Sequence, residues 1–190
     1  MKELQQVTGS RGQIKVQQIL AAAREVFMAH GYGEASMDTI ARSAGVSKAT
    51  LYAHFAGKEQ LFAAIIDGEC RRYTQELLDI EVAAAGDVER SLRELAQRFL
   101  ALLLSPRALC VYRMILAEAS RFPELGRIFF EAGPKAMRER LAHYLERAAQ
   151  RGLIAVEQPE LAAEHFIGLV KGQMQLRGLL GMELPDAGGL

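Results

Sequence analysis

The stretch from Met37 to Lys58 reads MDTIARSAGVSKATLYAHFAGK, and its spacing predicts two short helices joined by a tight turn. Ser36 is a good N-cap, and Met37, Ile40, Ala41 and Ala44 recur at helical spacing behind it. Gly45 supplies the positive φ that a tight turn between helices requires, and Val46 plugs that turn. Ser47 caps the second helix, in which Leu51 and Phe55 stand four apart and must face inward. Lys48, Ala49, Thr50, Tyr52, Ala53 and His54 are left facing out. A face with a cation, two hydroxyls, small residues and an imidazole suits a DNA major groove, where it meets phosphates, base edges and thymine methyls.

The run Gly45-Val46-Ser47-Lys48-Ala49-Thr50-Leu51-Tyr52-Ala53-His54-Phe55, followed by Lys58-Glu59 and Leu61-Phe62, resembles the DNA-binding signature of TetR-type transcriptional regulators. The likeness extends back through a helix from Val16 to His30 with its Gly31-Tyr32 exit, covering roughly the first third of the chain. It implies an all-α fold of about nine helices, an N-terminal three-helix helix-turn-helix head on a C-terminal helical body for ligand binding and dimerisation. The implied partners are a double-stranded DNA operator, a small-molecule effector and a second copy of the chain, with no cofactor. The resemblance places Thr50 and Lys48 at base edges, and Tyr52, His54 and Lys58 at phosphates. Ser47 and Ala49 complete the DNA face. Ser36 and Thr39 join the phosphate contacts because a helix N-terminus favours an anion. Met37 and Asp38 stand where some relatives carry a basic or hydroxyl residue, and Ala53 where some carry an aromatic, so both positions weaken the expected backbone contacts.

Composition is consistent with this reading. A chain of 190 residues can bury a sizeable core, as one domain or two small ones. No apolar run approaches the ~18 to 20 residues of a membrane span. The opening segment, MKELQQVTGSRGQIK, lacks the hydrophobic stretch of a signal peptide, so a cytoplasmic location with no membrane partner is expected. Cys70 and Cys110 have no metal-ligand spacing and read as reduced thiols packed as small hydrophobes. The 23 basic and 23 acidic side chains cancel. Up to Lys58, however, seven basic residues face four acidic ones, a mild and well-placed excess that predicts moderate salt dependence.

Alanine, leucine, glutamate and arginine dominate between short breaks, which is helical composition. Helices are expected near 13–30, 37–44, 48–54, 58–82, 88–104, 106–121, 123–131, 134–151 and 159–181, with interruptions at Gly86-Asp87 and Gly133-Pro134. The corresponding organisation is a flexible arm over 1–12, in which Arg11 lies, a DNA-binding head over 13–57, a body over 58–183 and a flexible tail over 184–190. The fourth helix joins the parts: Leu61, Phe62, Ile65 and Ile66 pack under the head, and Tyr73, Leu77 and Leu78 reach into the body.

The last two expected helices carry more apolar surface than one inner face requires. Met137, Leu141, Tyr144 and Ala148 on the first, and Leu169 and Leu176 on the second, are the candidate dimer contacts. Gly168 and Gly172 stand four apart and leave a bare stripe for a second helix, either across a dimer or within the monomer. The resemblance implies a four-helix bundle across a two-fold axis.

No catalytic constellation is present: there is no Gly-rich phosphate loop, no His-x-x-x-His or Cys-x-x-Cys metal pair, and no serine in a nucleophile elbow. His30, His54, His143 and His165 are scattered. An enzyme is therefore not expected, with a helical transferase or hydrolase the weaker alternative and a ligand-binding protein that has lost DNA binding the stronger. The segment Tyr112 to Leu125, with the closing run Arg177 to Gly181, resembles the C-terminal domain of the AefR-like branch of the family. Phe99, Arg113, Met114, Glu118 and Phe129 are the candidate effector-pocket residues. Arg113, Glu118 and Arg121 read either as an ion-pair network pinning the helix to its successor or as a polar anchor in that pocket.

Overall fold

The computed structural model describes residues 10–83 and 87–183, with side-chain environments for 12–70 and 87–183. Residues 1–9 of the expected arm, the side chain of Arg11, the tail from 184 and the side chains of Tyr73, Leu77 and Leu78 lie outside the described residues, whereas 10–12, expected in the arm, already belong to the first helix. Helices α1 (Ser10–Glu34), α2 (Met37–Ser43) and α3 (Lys48–His54) form the head. They are followed by α4 (Lys58–Ala83), α5 (Val88–Leu103), α6 (Pro106–Glu118), α7 (Pro123–Phe130), α8 (Ala136–Gln150), α9 (Pro159–Lys171) and α10 (Met174–Leu179). No strand occurs among the described residues, so the fold is all-α as expected.

The helix starts have local causes. Ser36, Ser47, Asp87 and Ser105 each accept a backbone N–H three residues on, at 3.1, 3.0, 3.0 and 3.2 Å, while α6, α7 and α9 open on proline. The turn between α2 and α3 closes on Gly45 at φ 65°, which lets the Val46 N–H reach the Ala41 carbonyl at 3.0 Å.

One core runs through the head and beyond it. Ile19, Phe27, Ile40, Leu51, Leu61 and Phe62 are fully buried in it, and Ile115 and Leu125 of the body join the same cluster. A second cluster, Leu95, Leu141, Ala142, Leu145 and Ala163, fills the space between α5, α8 and α9.

Two helix boundaries differ from expectation. Gly133-Pro134 does not break the chain: residues Glu131–Lys135 form a π-turn that runs from α7 straight into α8. Proline removes one helical hydrogen bond, and a widened turn absorbs that loss without ending the helix. A Cβ at Gly133 would lie 3.4 Å from Cys70 Sγ, so the small residue also lets the turn seat against α4. The last expected helix is in fact two, because Gly172 adopts φ 42°, ψ −140° and ends α9 at Lys171. Read as a bare stripe inside a helix, this glycine is instead a turn.

Candidate nucleic-acid interface and effector cavity

On α3, Leu51 is fully buried, which turns the opposite face outward. Lys48, Ala49, Tyr52, Ala53 and His54 are exposed and Thr50 is half-buried, so the structure brings the expected reading residues onto one surface. Two of them have local partners. Thr50 Oγ1 shares a hydrogen bond with Ser47 Oγ at 2.8 Å, and the equivalent pair on α2, Ser36 and Thr39, meets at 2.9 Å. Lys48 Nζ donates to Asp38 Oδ1 at 2.7 Å, and this hydrogen bond, with the aspartate charge, raises the lysine pKa.

The Lys48–Asp38 pair is exposed and contributes little to stability. It does place a carboxylate beside the cation that would meet DNA. Removing this acidic charge by Asp38→Asn is therefore expected to tighten DNA binding, several-fold at low salt and less as salt rises, measured by fluorescence anisotropy over a salt series.

Lys58 corrects an expectation. Rather than facing outward, its ammonium group donates to the carbonyls of Tyr32, Gly33 and Ala35 at 2.8, 2.9 and 3.2 Å, and lies 4.7 Å from the Tyr32 ring centroid. All three hydrogens are committed, leaving none for a phosphate. The α1 exit leaves carbonyls without helical partners, and Gly31, at φ 75°, turns the chain so that they converge on one cation. The same exit is held from the body: Gly33 N–H donates to Glu118 Oε1 at 3.2 Å, and the Tyr32 ring meets Phe122 edge-on at 5.1 Å. Burial, with Glu124 and Glu59 nearby, pushes the Tyr32 hydroxyl up to about 12.

Behind this junction α4 to α9 enclose a cavity of about 300 Å³. Its wall is largely apolar, with Ile66, Phe99, Leu102, Val111, Phe129 and Ile167 from five helices. Tyr112 packs edge-on against Phe129 at 4.7 Å, and burial raises its pKa. Burial also pushes the Cys70 thiol up to about 11, with Asp67 and Glu69 adding to the effect, so Cys70 stays protonated at the wall. Glu69 accepts from Arg107 of α6 and from Arg24 of α1 at 3.0 Å, linking the cavity wall to the head.

Of the five candidate pocket residues, Phe99 and Phe129 line this cavity, whereas Arg113, Met114 and Glu118 do not. Met114 packs on the first core. Glu118 faces the head, and Arg113 donates to the carbonyls of Leu179 and Gly178 at 3.0 and 2.6 Å, closing the end of α10. Arg121 stacks its guanidinium 5.2 Å from the Phe122 ring. The two segments that resemble the AefR-like branch thus meet through Arg113 as a structural clamp.

Residues 19–65 match the family described as bacterial regulatory proteins, tetR family. Residues 90–187, about half the chain, match the AefR-like transcriptional repressor C-terminal domain. The chain belongs to the TetR family.

Among solved structures, this TetR-family chain is similar to the flavonoid-responsive regulator FrrA, with 36% identity, a TM-score of 0.77 and coverage of 92% of this chain and 88% of the other. It is likewise similar to a TetR-family regulator from Mesorhizobium loti, at 30% identity and a TM-score of 0.81, covering 94% and 90%. Among curated relatives, the HTH-type transcriptional activator FasR of Mycolicibacterium smegmatis is 53% identical over 49 residues, 26% of this chain and 22% of that protein. The HTH-type transcriptional regulator SrpR of Pseudomonas putida is 34% identical over 92 residues, 48% and 41% respectively. These two matches therefore span less than half of either relative, and the first is about as long as the head alone.

The expected dimer residues separate into two groups. Leu141 is buried in the chain's own second core and Ala148 is buried as well, so neither is available to a partner, and Met137 and Tyr144 pack against that same core. Leu169 is 83% exposed and Leu176 59%, while a Cβ at Gly168 would meet nothing within 4 Å. Leu180, also beyond Gly172, is 66% exposed. Sequence reasoning missed Lys171 and Arg138 at the cavity wall. The spacing of Glu164, Ile167 and Lys171 on one face of α9 was the available signal.

Proposed function

We propose that the chain is a homodimeric repressor that binds a pseudo-palindromic operator through α3 in the cytoplasm and releases it when a small apolar or amphipathic effector enters the cavity. The observation that carries this reading is the double membership of α4. Lys58, at its start, holds the exit of α1, and Leu61 and Phe62 pack in the head core, while Ile66, Glu69 and Cys70, a few residues on, border the cavity. A ligand that displaces this stretch of α4 moves the support of the reading helix, and a rigid helix shared by two cores is a physical route for such coupling.

The match to an AefR-like repressor domain supports repression, and a structural relative named as flavonoid-responsive supports effector control. The exposed leucines on either side of Gly172 support pairing of two chains, because a monomer gains nothing from leaving them in water. Thr50 and Lys48 are assigned to base edges, and Ser36, Thr39, Ser47, Ala49, Tyr52 and His54 to the surrounding backbone and groove contacts.

The test is fluorescence anisotropy with DNA from the chain's own upstream region. Saturable binding of two chains per site, weakened by salt, is expected. Binding no tighter than to scrambled DNA would leave a helical ligand-binding protein without an operator.

A further inference from the structure

Five basic side chains border the cavity, and three are already engaged: Arg98 with Glu94, Arg107 with Glu69 and Lys135 with Glu131. Arg138 of α8 and Lys171 of α9 border it as well, and neither has an ion pair or hydrogen bond among the described residues. Arg138 lies close enough to Lys135 to repel it. Of the two acidic residues at the wall, Glu69 is shared by two arginines and Glu164 is exposed. Lys171 is half-buried, and burial alone lowers its pKa, the signature of a cation that has lost water without gaining a counter-charge. The cavity thus combines an apolar body with two wall cations that have no ion pair among the described residues. A neutral hydrocarbon would fill the first and leave the second unsatisfied.

We infer that the cavity takes an apolar molecule carrying one anionic head, and that Lys171 and Arg138 receive that head while Phe99, Leu102 and Phe129 enclose the body. The inference rests on the reading of the cavity as an effector site, and it adds the charge and orientation of the ligand. A multiply charged metabolite is excluded by the apolar wall; a carboxylate or sulfonate on an aromatic or aliphatic body fits.

The test uses two fluorescent probes with the same ring system, anilinonaphthalene sulfonate and the uncharged N-phenyl-naphthylamine, titrated into the purified full chain. The sulfonate is expected to bind about tenfold tighter than the neutral probe, the scale of a charge-assisted hydrogen bond. Lys171→Met and Arg138→Met keep most of the apolar stem, and each is expected to reduce that preference while leaving the neutral probe unchanged. Leu102→Trp is expected to exclude both probes. Equal affinities in the wild type, a preference that survives both methionine variants, or binding that survives Leu102→Trp would each overturn the inference. Operator release is read separately: a sulfonate that binds through Lys171 and leaves DNA affinity unaltered keeps the anion site and removes the effector-controlled repressor.

Discussion

Leu169→Glu with Leu176→Glu is expected to yield a helical monomer whose affinity for a two-half-site operator falls by roughly a hundredfold or more, while a single half-site is bound as before. The whole chain is formally neutral, so bulk attraction to DNA is absent and a single head has only a few contacts to offer. Two heads joined by a stable interface bind the second half-site at an effective concentration near the millimolar range, and losing that linkage costs the corresponding factor. Both leucines are exposed, so carboxylates there remain in water and the monomer keeps its cores. Gly172→Leu would be a poorer test, because a leucine at φ 42° strains the turn and confuses loss of pairing with loss of α10. Light scattering that finds an intact dimer in the double variant would move the interface elsewhere.

What the sequence revealed follows the range of the forces involved. The helix-turn-helix was legible because each of its determinants is local: Ser36 and Ser47 cap within three residues, and Gly45 turns by its own φ. The inward position of Leu51 follows from a one-turn period. The cavity was not legible to the same degree. Phe99 and Phe129 could be chosen for apolarity, but Arg138 and Lys171 come from different helices, and that both border one cavity depends on how α8 packs on α9. Periodicity also cannot say which apolar face of a two-sided helix belongs to its own chain. Leu141 looked as available as Leu169, and only packing with Leu95 and Ala163 separates it.

Glycine and proline misled for a related reason. Gly133-Pro134 has the composition of a break, yet α4 packs so closely over it that the chain continues as a wide turn. Gly172 has the spacing of a helical stripe with Gly168, yet the chain uses its conformational freedom instead of its small size. In both cases the residue type was informative, but spacing alone did not say which of its two uses the chain makes.

Replacing Lys58 by methionine is expected to destabilise the fold by about 3 kcal/mol, a fall in Tm of roughly 6 to 12 °C for a chain of this size. The stem would still pack beside Tyr32 and Phe122, so the loss isolates the ammonium group. That group now satisfies three carbonyls at the α1 exit in a half-buried position, where water replaces it poorly. Lys58→Arg should recover only part of the loss, because a planar guanidinium cannot point three donors at carbonyls converging on one point. DNA binding then discriminates the two roles open to this lysine. A strut changes stability and the position of the whole head, so the salt slope of operator binding stays the same, whereas a phosphate contact would lower that slope by about one with stability intact. Thermal unfolding and a salt titration on the same variant decide it: an unchanged Tm with a reduced slope would return Lys58 to the DNA surface and leave the α1 exit to Glu118 and Phe122 alone.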